Sequence, residues 1–152
     1  FTDNDKAILA EADAMLGASR TAMATQQIHQ WLNVVWSVVA EANRYFAGEE
    51  PWAKTKTDPG RRDTILYVTA EVVRQVAILA QPVMPESAGK LLELLRQTPA
   101  QRSFTSLGST HRLAPGLALP VPSGVFPRYV DPEEEAARAQ QSQAKGGKGK
   151  QG

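Results

Sequence analysis

Residues 26–52 read QQIHQWLNVVWSVVAEANRYFAGEEPW. Ile28, Leu32, Val35, Val39, Ala42 and Phe46 recur at alternating spacings of four and three, which puts them on one face of a helix. Trp31, Val34, Trp36 and Val38 widen the apolar surface beyond a single stripe. The pattern predicts a helix over 26–47 that is capped by Thr25 and lies between neighbours. Gly48 is read as its end, and Pro51 prevents its resumption. The stretch closes on Trp52, directly after a proline in a polar connection, where a core tryptophan has no need to be.

The rest of the chain follows the same period. Ile8, Leu9, Ala12, Met15 and Leu16 predict a helix over 4–16, with Asp3 as its cap and Gly17 as its stop. Ile65, Val68, Val72, Val76 and Leu79 predict a third helix over 62–81. It is rich in β-branched residues, but its period is near 3.6 and its length exceeds that of a typical strand. A fourth helix starts near Pro85, with Ala88, Leu91, Leu92 and Leu95 as its stripe. Short loops between such helices make them antiparallel, so the expected fold is all-α: an antiparallel helix bundle over 1–97. Residues 98–132 hold six of the ten prolines, which excludes long helices and predicts an irregular return segment. Residues 133–152, from Glu133-Glu134-Glu135 to Lys148-Gly149-Lys150, read as a low-complexity, disordered tail.

Composition narrows the function classes. The net charge is +1, so bulk charge does not announce a nucleic-acid binder. There is no cysteine, which excludes disulfides and thiolate metal sites and fits a reducing compartment. No apolar run reaches the roughly 18 residues of a membrane span. The chain does not begin with Met, and Phe1 is read as an internal residue of a longer protein. The two histidines, His29 and His111, lie far apart, and no carboxylates cluster at ligand spacing, so neither a metal site nor a catalytic centre is expected. His29 reads as structural or surface. His111 sits in a Thr-His-Arg loop, where a phosphate or partner contact is a minority reading.

Trp52 has two readings on the residues alone. It folds back to cap the bundle, or its indole is presented outward to stack on a base. Pro51 fixes the backbone before it. Lys54, Lys56, Arg61 and Arg62 follow and are candidate phosphate contacts for single-stranded RNA. The residues by themselves favour the first.

Three motifs change that balance. Asn43-Arg44-Tyr45 followed by Pro51-Trp52 resembles the N-x-Y-x5-P-W element that ends a long helix in the anticodon-binding domain of class I aminoacyl-tRNA synthetases charging Met, Ile, Val, Leu and Cys. Ser123-Gly124-Val125-Phe126-Pro127-Arg128-Tyr129-Val130-Asp131 resembles the "LFPRI" segment of methionyl-tRNA synthetases, with Val125 and Tyr129 where Leu and Ile are commoner. Gln81-Pro82-Val83-Met84-Pro85 resembles their K-P-x-x-P helix break. The likeness runs from residue 1 to about 131, with the motifs in the family's order.

The resemblance implies a bundle that reads the CAU anticodon of methionine tRNA. It makes Trp52 the stacking residue and Pro51 part of its platform. Asn43 is first a helix-end residue and second an RNA contact. The family's other base-reading residues, an Asn and an Arg, belong to a helix that would precede Phe1, and its absence should leave apolar surface open. Residues 117–131 match the connection back to the catalytic domain, so Leu117, Leu119, Val121, Val125, Phe126 and Val130 should pack against it. The motifs of methionine activation are not in these residues. No cofactor is expected here, and ATP with Mg belongs to the catalytic domain of the parent ligase. The implied partners are methionine tRNA and that catalytic domain, in the cytoplasm. Competing readings are the same domain of a sibling synthetase, against which Phe126-Pro127-Arg128 argues, and a helical interaction module without RNA.

Overall fold

The computed structural model describes residues 1–126, 129 and 131. Among the described residues four helices carry the fold: α1 (Asp3–Ala24), α2 (Ile28–Glu49), α3 (Pro59–Ala80) and α4 (Pro85–Leu94). The expected tail, and Pro127, Arg128 and Val130 of the motif segment, lie outside the described residues. α1 and α2 pack side by side across the short turn at 25–27, which forces them antiparallel. Tyr45 near the end of α2 meets Asp5 at the start of α1. α3 returns along both. Four 3-10 turns occupy the connections, one at Ala53–Thr55 and three between Pro99 and His111.

The boundaries differ from the sequence expectation in instructive ways. α1 does not stop at Gly17 but runs to Ala24, where its last turns bury Ser19 and Ala22. A glycine inside a helix costs only about 1 kcal/mol, and burial on the far side exceeds that. Thr2, not Asp3, caps it: Thr2 Oγ1 accepts from Asp5 N–H while Asp5 Oδ2 accepts from Thr2 N–H at 2.8 Å. Thr25 closes α1 rather than opening α2, and its hydroxyl donates back to Ala22 O at 3.1 Å. Gln26, at φ 58°, makes the turn. α2 passes through Gly48 to Glu49 and is ended by Glu50 in the left-handed region at φ 46°. α3 begins at Pro59, earlier than its apolar stripe, because Asp58 Oδ1 accepts from Arg61 N–H and Pro59 occupies the first turn.

The central helix is α3, not the more apolar α2. α2 buries only Trp31, Val35 and Val38, whereas α3 buries Ile65, Val68, Val72 and the run Ala77–Ala80 together with Glu71, Arg74 and Gln75. Those three polar side chains are buried because they satisfy one another and the return segment. Arg74 donates twice to Glu71 and once to Ser106 O, Gln75 donates to Asp13, and Leu113 N–H donates to Glu71. Tyr67 Oη donates to Leu113 O, and Arg112 pairs with Asp13 at 2.6 Å. Residues 104–113 are thereby strapped onto α1 and α3, with Leu107 and Leu113 buried.

The apolar residues of α2 that face away from α1 remain open. Trp36, Val39, Ala42 and Phe46 form one wall of a groove of about 470 Å³, and Val72, Val73, Val76, Met84 and Leu91 are among its other lining residues. α2 therefore has a neighbour on each side yet keeps one uncovered apolar strip, with Trp36 45 % exposed.

Candidate nucleic-acid interface

The segment between α2 and α3 presents Trp52. Glu50 turns the chain, Pro51 is buried, and Trp52 is 59 % exposed. A proline ring packed inward fixes φ before the tryptophan, so the indole points out without a flexible hinge. The loop then folds on itself: Ala53 N–H donates to Glu50 O, Lys54 N–H to Pro51 O, and Thr55 Oγ1 to Trp52 O at 3.1 Å. Asp58 N–H donates to Lys54 O before the chain enters α3. The indole leans on Phe46, with ring centroids 5.9 Å apart and planes tilted by 57°. That contact steadies the ring while leaving more than half of its surface to solvent. Phe46 was expected only as a core-stripe residue. The structure gives it a second role, and its place six positions before Trp52 in one motif was the available signal.

Asn43 is exposed on the groove wall, one turn of α2 before Phe46. Lys56 is exposed on the loop. Arg62 is partly exposed and paired with Asp63 at 2.6 Å. The other two candidate phosphate contacts are directed elsewhere. Lys54 Nζ donates to Glu49 O and helps satisfy the last carbonyls of α2. Arg61 turns inward, its side chain only 14 % exposed. Its Nη1 and Nη2 grip Asp5 at 2.6 and 2.8 Å, and Nη2 also lies 2.9 Å from Glu49 Oε2. Sequence reading treated Arg61 as one of a basic pair, but its partners are distant along the chain and leave no local pattern.

Beneath the loop lies a cluster built from three helices. Asp5 is fully buried and takes Arg61 and the Tyr45 hydroxyl, the latter at 2.6 Å. Burial pushes the Asp5 carboxyl up, but Arg61, Tyr45 and the Thr2 N–H together outweigh it and hold the group well below the usual carboxylate range. Glu49 is lowered as well, first by Arg61. Tyr45 is raised, by burial and then by Asp5. Both histidines are exposed, and His111 Nδ1 meets Thr110 Oγ1 at 2.9 Å.

The bundle is all-α among the described residues, and beyond the end of its second helix Pro51 is buried and Trp52 is exposed. Residues 1–146 match the family described as the anticodon binding domain of methionyl tRNA ligase, and the chain belongs to that family. It is 58 % identical over 133 residues to the methionine–tRNA ligase of Rhizobium meliloti, a span of 88 % of this chain and 26 % of that protein. It is 50 % identical over 137 residues to the ligase of Mycobacterium tuberculosis, again 88 % and 26 %. The free-state crystal structure of the M. tuberculosis methionyl-tRNA synthetase superposes with a TM-score of 0.82 at 50 % identity, covering 87 % of this chain and 27 % of that one. The same enzyme bound by methionyl-adenylate gives 0.79. The chain thus spans about a quarter of the length of these relatives. Both enzymes are named for methionine, as is the family, which argues against the sibling-synthetase reading.

Proposed function

We propose that this domain binds the anticodon loop of methionine tRNA, and that Trp52 is the surface on which a base of CAU stacks. The exposure of Trp52, on a loop whose neighbouring proline is buried, carries the reading. Stacking a base on one aromatic ring contributes on the order of 1–3 kcal/mol. Pro51 is the platform beneath it, and Asn43 borders the same face. Lys56 and Arg62 supply phosphate contacts around it. The domain acts as part of a cytoplasmic methionine–tRNA ligase. ATP, Mg and methionine are handled by the catalytic domain of that enzyme. No helix among the described residues is long and apolar enough to cross a membrane.

The test uses the protein at its full natural length. Trp52→Ala should weaken binding of a CAU anticodon stem-loop roughly 5- to 150-fold, the range set by stacking. ATP-dependent activation of methionine should stay at the parent level. Undiminished binding by a folded Trp52→Ala variant would remove Trp52 from the interface.

A further inference from the structure

We propose that Arg61 is a positioning residue for RNA stacking: by clamping the starts of α1 and α3 to the end of α2, it fixes the loop that presents Trp52. The proposal rests on the stacking role of Trp52. The loop leaves α2 at Glu49 and enters α3 at Pro59. Arg61 holds both ends, since it lies in the first turn of α3 and its guanidinium reaches Glu49. The same guanidinium is anchored to α1 through Asp5, and Nη2 also reaches Thr2 Oγ1 at 3.3 Å. Asn4 Nδ2 adds a 3.3 Å bond to Glu49, and Tyr45 adds its hydroxyl to Asp5. Every guanidinium nitrogen of Arg61 thus faces a protein acceptor, which leaves none directed at a phosphate. With its ends fixed, the loop needs no ordering when RNA arrives, and that saving appears as affinity.

Charge makes the proposal testable by sign. Asp5 is fully buried and cannot touch RNA. Removing a negative charge beside a polyanion should tighten binding if only the field mattered. A positioning role predicts the reverse. A phosphate contact at this cluster would also reduce the salt dependence of binding by about one counterion when lost, whereas positioning leaves it unchanged.

The experiment measures affinity for a CAU anticodon stem-loop across a salt series, using the protein at its full natural length. The variants are Asp5→Asn and the milder Tyr45→Phe, each alone and combined with Trp52→Ala, with thermal unfolding to confirm that they fold. Asp5→Asn should weaken binding about three- to tenfold, a part of the roughly 5- to 150-fold stacking range, at unchanged salt slope. Tyr45→Phe should do the same to a smaller extent, and it keeps the ion pair if Asp5→Asn does not fold. Neither should weaken binding further once Trp52 is Ala. Tighter or unchanged binding by the folded variants, or equal weakening in both backgrounds, overturns the positioning role and leaves the stacking reading standing. No effect of Trp52→Ala alone overturns both.

Discussion

Arg61 and Asp5, fifty-six positions apart, face each other through two hydrogen bonds of 2.6 and 2.8 Å and join the start of α3 to the start of α1. The Asp5 side chain is fully buried and that of Arg61 is 14 % exposed. Removing one partner leaves an uncompensated charge out of water, which costs about 3 to 5 kcal/mol. Arg61→Met should therefore lower the free energy of unfolding by that order in urea titrations near neutral pH. The pH sign follows from Asp5, whose folded-state value is depressed. Its contribution is complete above the ordinary aspartate value of about 3.9 and fades as pH falls through the lower folded value. The gap between parent and Arg61→Met should be full at pH 7 and shrink as pH falls, because Asp5 without its partner takes up a proton more readily than it does in the parent.

At the alkaline end the tyrosines act in the opposite sense. Tyr45 is raised by burial and then by Asp5, and Tyr67 by burial and then by Glu71. A group with a raised folded value supports the fold below its ordinary value, about 10 for tyrosine, and withdraws that support as pH climbs through the folded value. Tyr45→Phe should be less stable than the parent at neutral pH by about 1 kcal/mol, the worth of one hydrogen bond. It should lose less than the parent between pH 9 and 11. Parallel losses in that window would show that Tyr45 does not sense pH through the cluster.

Much of this fold was legible because an amphipathic period survives in sequence. The three long helices and the start of α4 at Pro85 follow from it, as does the break around Trp52. The helix ends were not legible, because a glycine is a weak stop: burial beyond Gly17 overrides it and α2 runs one residue past Gly48, while Gln26 and Glu50 carry the left-handed turns without any sequence signal. The central place of α3 was not legible for a related reason. Glu71, Arg74 and Gln75 look like a solvated face, and only their long-range partners at Asp13, Ser106 and Leu113 make them core. The Trp52 loop was found by motif, whereas its support by Asp5 and Arg61 is purely tertiary.

The groove between α2, α3 and α4 carries the next prediction. Trp36, Val73, Val76 and Leu91 line it, and Phe126 lies at its side, 62 % exposed. Apolar surface left in water forfeits about 25 cal/mol per Å², so an open groove favours association. The 152-residue chain should dimerise or bind a hydrophobic dye, and Val76→Glu should reduce both. Analytical ultracentrifugation showing a monomer with a high, cooperative melting temperature and no dye binding would contradict this.

Lys54 and Lys56 separate by their surroundings. Lys54 is bonded to Glu49 O at the end of α2, while Lys56 is exposed. Lys56→Gln should weaken stem-loop binding alike for CAU and altered anticodons and lower the salt slope by about one. Lys54→Gln should instead reduce stability by about 1 kcal/mol, since it removes a charge-assisted cap. A larger change in salt slope for Lys54→Gln than for Lys56→Gln would reverse the assignment.

The three tryptophans should respond to alanine in three ways, because each meets a different environment. Trp31 is 6 % exposed within the main core, and its loss leaves a cavity that costs about 3 to 5 kcal/mol. Trp36 shares the widened apolar surface of α2 with Trp31, but it is 45 % exposed on the groove wall. A wall open to solvent creates no enclosed void, so Trp36→Ala should cost about 1 kcal/mol and should reduce dye binding in the groove. Trp52 touches Phe46 on one side and solvent on the other. Its truncation removes one aromatic contact, worth about 0.5 to 1.5 kcal/mol, so its stability loss should fall well below that of Trp31→Ala. Thermal and urea unfolding of the three variants gives the order Trp31 first, with the other two small and similar. If Trp52→Ala is as destabilised as Trp31→Ala, the indole is serving the core and the outward platform is not its main role.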